Sequence, residues 1–117
     1  NAKEDIIETC FHNALEQLGN LDEQAYKNLV EQLINQGQKQ IKGNVQIKIS
    51  NELDKQVAEK MGITILGETG AIGGILLQSE NGTITIDNTF EGILKREKHR
   101  IRVHVGQLLF SEQTSET

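Results

Sequence analysis

Apolar residues recur at steps of three and four near the start of the chain, which lines up one face of a helix. The stripe is Ile7, Phe11, Ala14, Leu15 and Leu18, and it predicts a helix over residues 3–19, with Cys10 on the same side as a structural thiol. Gly19 is a natural end, since glycine adopts the left-handed conformation that closes helices. Asn20 with Glu23 three residues on predicts the start of a second helix, a spacing in which two side chains satisfy free backbone N–H groups. Its stripe is Ala25, Leu29, Val30, Leu33 and Ile34, with Gly37 as the expected stop and the polar residues 38–44 as a connection.

Then the period changes to two. Val45, Ile47 and Ile49 alternate with polar residues, as in a strand with one buried face. Ser50 or Asn51 caps a third helix that buries Leu53, Val57 and Met61 and stops at Gly62. Short β-rich runs follow at residues 63–66, 75–79 and 83–87. The last two flank Asn81-Gly82, a pair that suits a type I′ hairpin turn because both residues tolerate positive φ. Asn88 with Glu91 resembles a capping pair, and Phe90, Leu94, Ile101, Val105 and Leu108 continue at helical spacing. Residues 111–117 are polar and read as a flexible tail. The predicted order is α-α-β-α-β-β-β-α, an α+β fold with a mixed sheet and helices over one of its faces.

With 117 residues the chain is one domain of residues 1–117. The charges are uneven although the net is only −5. Glu4, Asp5, Glu8, Glu16, Asp22 and Glu23 crowd the start, and Lys95, Arg96, Lys98, Arg100 and Arg102 crowd residues 95–102. An acidic balance disfavours a general nucleic-acid or anionic-membrane binder. The competing reading is a small nucleic-acid-binding module using residues 95–102. It lacks exposed aromatic residues for stacking, with three Phe and one Tyr in the chain. No apolar run reaches the ~18 residues of a membrane span, and no signal-peptide pattern precedes Lys3, Glu4, Asp5 and Glu8. A single cysteine excludes an internal disulfide and fits a reducing, cytoplasmic setting.

Candidate chemistry is sparse. Gly67, Gly70, Gly73 and Gly74 form a loop, but neither the phosphate-loop nor the dinucleotide spacing is met. His99 and His104 are five apart, turned about 140° from each other on a helix, and Cys10 with His12 is not a zinc spacing. No nucleophile stands beside a base with an orienting third group. Neither cofactor, metal nor catalytic residue is expected.

The stretch from Ile72 to Leu94, IGGILLQSENGTITIDNTFEGIL, resembles the C-terminal domain of the E subunit of archaeal A-type and V-type rotary ATPases. The resemblance rests on Gly73 and Gly74 before an apolar strand, the turn Ser79-Glu80-Asn81-Gly82, Asp87 at a strand end, and Asn88-Thr89-Phe90-Glu91 opening a helix. It is dense over those 23 residues and looser over residues 3–110. After Glu91 the chain reads Gly92-Ile93-Leu94-Lys95-Arg96 where the family usually has an Ala-Arg-Leu-Glu-Arg-like run. The resemblance implies a non-catalytic peripheral-stalk domain that docks on the catalytic head and holds it against rotor torque. It implies other ATPase subunits as partners, namely those of the head and a helical stalk partner, on the cytoplasmic side of the membrane. It also implies a preceding charged helix, which is expected to be absent from this chain. No small-molecule ligand, nucleic acid or membrane insertion is expected. The expected partner contact is the first-helix face or the last helix at Leu108, Leu109 and Phe110, and Gly73, Gly74, Asn81, Gly82, Asn88 and Glu91 are read as fold-determining turn and cap residues.

Overall fold

In the computed structural model, residues 2–115 are described, with the side chains of residues 105, 106 and 108–115 left aside. The elements are α1 (Ala2–Gly19), α2 (Glu23–Ile41), β1 (Val45–Ile49), α3 (Glu52–Met61), β2 (Thr64–Glu68), β3 (Gly74–Ser79), β4 (Thr85–Thr89) and α4 (Phe90–Ser115). This is the predicted α+β order. The four strands lie in the order β2-β1-β3-β4, with β1 parallel to β2 and the other pairs antiparallel. The sheet is therefore mixed, as the strand-helix-strand unit followed by a hairpin requires.

Alternation decides which face is covered. Val45, Ile47 and Ile49 of β1 point the same way as Ile75 and Leu77 of β3 and are buried with Tyr26, Val30, Leu33 and Ile34 of α2 and Val57 and Ala58 of α3. Lys48 on the opposite face pairs across β3 with Leu76, which in turn lies opposite Asp87, so that face is mainly polar. Phe90, at the start of α4, closes the core at 1% exposure and meets Tyr26 edge-on with ring centroids 5.6 Å apart.

Several boundaries differ from the sequence expectation. The α2 cap is Asp22, whose Oδ1 accepts from Ala25 N at 2.8 Å, not Asn20. The Asn20 and Leu21 amides are occupied in closing α1, donating to Gln17 O and Leu18 O. Gly37 does not stop α2. It lies inside the helix because a Cβ there would fall 2.4 Å from Leu77 Cδ2, so its bareness serves close helix–sheet approach. The helix ends instead at Lys42, which takes the left-handed conformation (φ 56) and donates its N–H to Gln38 O. Asn51 caps α3 in a reciprocal box with Asp54, and Gly62 closes it.

The hairpin turn is not type I′. Among the described non-glycine residues only Lys42 has positive φ, so Asn81 stays in ordinary backbone space. Asn81 works through its carboxamide, accepting from Ser79 Oγ, Thr83 N and Thr83 Oγ1. Gly82 (φ 74) supplies the one left-handed step and donates its N–H to Ser79 O at 2.9 Å. This wider loop delays β4, which begins at Thr85.

Candidate functional site

Three constellations hold the polar residues of this domain. The first is buried. Tyr26 Oη donates to Asp54 Oδ1 at 2.7 Å and accepts from Asn51 Nδ2 and Gly74 N, each at 2.9 Å. Asp54 Oδ2 accepts from the amides of Ser50 and Asn51. Ser50 Oγ reaches Gly74 O at 2.7 Å and Thr69 Oγ1 at 2.8 Å. These bonds tie α2, the start of α3, the loop after β2 and the start of β3 into one knot. Asp54 is fully buried, and burial pushes its carboxyl above the usual carboxylate range even though the bonds from Tyr26, Ser50 and Asn51 pull the other way. Burial likewise raises the Tyr26 phenol, reinforced by Asp54. The sequence carried a signal for half of this knot, since Asn51-x-x-Asp54 is a capping spacing; Tyr26 stood outside the apolar stripe expected for α2, and no spacing pointed to it.

The second constellation is the glycine turn that leads into it. A Cβ on Gly73 would stand 2.6 Å from Phe90 Cε2, and one on Gly74 (φ 83) would stand 2.5 Å from Asn88 O. The backbone N–H of Thr69 goes to Ile49 O, that of Ala71 to Thr69 Oγ1, that of Ile72 to Glu91 Oε2 and that of Gly74 to Tyr26. With those four donors taken, and Glu68, Asp87 and Glu91 lining the depression beside Lys48, the loop presents an acidic surround that disfavours a phosphate. Asn88 and Glu91 do not form a capping pair. Thr89 Oγ1 caps α4 by accepting from Gly92 N at 3.1 Å, while Glu91 reaches back to Ile72 and Asn88 lies buried with its amide on Leu33 O.

The third is the pairing of α1 with α4, which run antiparallel. Lys98 Nζ donates to Glu8 Oε2 at 2.8 Å, and Arg102 reaches Glu4 at 2.8 Å and Glu8 at 2.6 Å. Lys98 holds the Glu8 carboxyl below its usual range, and Glu4 raises the Arg102 guanidinium. The acidic start and basic end noted in the sequence are thus partners. This changes the reading of residues 95–102: Lys98 and Arg102 are paired across to α1, Arg100 is paired with Glu97, and Arg96 is bonded to Asp87 O and Asn88 Oδ1. Phosphate contacts need available cations, and four of the five bases of this segment already have partners within the fold.

Cys10 is exposed rather than part of the α1 stripe, because a single neighbouring helix covers only the narrow face through Ile7, Phe11, Ala14, Leu15 and Leu18. His12 faces Glu16 one turn on. Among the described residues no group of three or more His, Cys, Asp or Glu is placed to hold a metal, and no helix is long and apolar enough to cross a membrane. The side chains of Leu108, Leu109 and Phe110 lie outside the described residues.

Residues 1–110 match the family described as ATP synthase (E/31 kDa) subunit. The chain belongs to this family. It is 33% identical over 128 residues to the A-type ATP synthase E subunit of Methanobrevibacter smithii, covering 93% of this chain and 62% of that protein. The E subunit of Pyrococcus horikoshii is 29% identical over 119 residues, covering 92% of this chain and 60% of the relative. That of Thermococcus kodakarensis is 36% identical over 63 residues, covering 50% and 31%. The chain thus spans about three fifths of the length of the first two curated relatives.

Proposed function

We propose that this chain is the globular part of a peripheral stalk in an A-type ATP synthase, a non-catalytic domain that docks on the catalytic head and resists rotor torque. Membership of the E-subunit family carries the reading. The geometry is in keeping with it: polar residues here knit elements together instead of converging on a cleft, and two long helices give an extended body. Its partners are other ATPase subunits, one from the head and a helical one from the stalk, on the cytoplasmic side of the membrane. The contact surface is the α1 face or the end of α4 at Leu108, Leu109 and Phe110. The fold-determining residues in this reading are Gly73, Gly74, Asn81, Gly82, Asn88 and Glu91.

The test is co-purification of the chain with A-type head subunits from a co-expressing strain. The expected result is retention through washing at moderate salt, with loss on Leu108→Asp/Leu109→Asp. Failure of wild type to stay with the head, or turnover of ATP by the isolated chain, overturns the reading.

A further inference from the structure

We propose that α1 is a strap on α4 whose outer end is held shut by a charge clasp of Glu4 and Glu8 against Lys98 and Arg102, and that screening this clasp peels the outer half of α1 away. The two ends of α1 are held by different forces. At the inner end Leu15 and Leu18 pack against the core, and Gly19 lies beside Ile72. No residue of α1 is fully buried, but at the outer end Ile6 is exposed and Ile7, though partly covered, is not among the residues packed against the core. Among the described residues, this end is joined to α4 by the ion pairs to Lys98 and Arg102.

All four clasp side chains keep part of their surface in water, so salt reaches them. The screening length falls from about 10 Å at 0.1 M to about 3 Å at 1 M. Other charges near the seam do not replace the clasp. His12 pairs within α1 with Glu16, and Lys95 and Glu91 lie further in, beside Phe11, Leu15 and Leu94. Once lifted from α4, the outer turns lose the packing of their apolar face, which supplies most of a helix's stability in a folded protein. Peeling therefore means unwinding, which backbone amides report. Use of the strap as a yielding joint in a loaded stalk rests on the function proposed above; the clasp itself is a property of this chain.

Amide hydrogen exchange on the intact chain tests it. Amides of residues 5–10 are expected to exchange roughly two- to five-fold faster at about 1 M than at about 0.1 M NaCl, with those of α2 unchanged. Lys98→Met/Arg102→Met is expected to exchange fast there at both salt levels. The fully reversed variant, Glu4→Lys/Glu8→Lys/Lys98→Glu/Arg102→Glu, is expected to regain protection at low salt. Equal protection at both salts, slow exchange in the double Met variant, or uniform acceleration through α2 and the sheet overturns the proposal. No other ATPase component takes part in this readout, so a failed co-purification leaves the clasp standing, and an unresponsive exchange profile leaves the stalk reading standing.

Discussion

Single residues set the tight points of this domain, and they act through opposite properties. Gly37 and Gly74 matter for what they lack. Alanine usually stabilises a helix relative to glycine, yet Gly37→Ala would press a methyl onto Leu77. The expected cost of such overpacking is about 1–3 kcal/mol, read as a lower denaturant midpoint. Gly74→Ala adds positive φ to a clash with the Asn88 carbonyl and should cost more, whereas Gly43→Ala meets nothing within 4 Å and serves as the neutral control. A harmless Gly37→Ala would contradict the packing described here. Asp54 matters for what it carries. Its folded pKa stands above the ordinary value of 3.8 because of burial. Its contribution to stability is then full below the unfolded pKa and lost as pH rises through the folded one. The unfolding free energy of wild type minus that of Asp54→Asn should accordingly fall as pH rises above the ordinary carboxylate value of 3.8; a difference that grows with pH would contradict this. Tyr26→Phe leaves Asp54, Asn51 and the Gly74 amide each short of a partner, and should cost about 1–3 kcal/mol.

At the scale of elements, periodicity showed which segments are helix or strand, and it showed poorly where they end. The α2 stripe through Val30, Leu33 and Ile34 was plain in the sequence, and so was the alternation of β1. The ends depended on partners that spacing does not reveal: Gly37 reads as a stop until Leu77 is seen beneath it, and Asn20 reads as a cap until its amide is seen closing α1. The polar knot was half legible, through the Asn51–Asp54 spacing, because Tyr26 reaches it across 28 positions. The charge asymmetry between the two ends was visible as well, but only the antiparallel meeting of α1 and α4 turns it into pairing. That meeting also predicts how far the elements depend on one another. The buried core is drawn from α2, α3, the strands and Phe90, with α1 adding only the partly buried Leu15 and Leu18. A chain beginning at Asn20 is expected to keep the four-stranded sheet and a single cooperative unfolding transition at a lower midpoint. Circular dichroism and amide spectra check this, and loss of the strand signals would mean that α1 is integral to the core.

The shape of the whole molecule follows from these parts. A compact chain of this length has a radius of gyration of about 13 Å. Here the Cα value is 17.3 Å and the extents are 59 × 31 × 20 Å. The excess comes from α4, whose 26 residues at ~1.5 Å each make a rod of about 39 Å, with α1 laid along part of it. A rod braced by a second helix and rooted in a sheet through Phe90 and the Thr89 cap resists bending better than a lone helix does, because flexing it must slide two packed surfaces past each other. Elongation is therefore the property on which the stalk reading leans at this scale, and small-angle scattering measures it directly. The expected radius of gyration in dilute solution is close to 17 Å, with a skewed pair-distance distribution. Removing α1 should leave the long tail of that distribution in place if α4 remains a rod, and abolish it if α4 needs α1 to stay helical. A value near 13 Å for the intact chain would mean that α4 folds back on the sheet, and a domain of that shape has no arm through which to carry load.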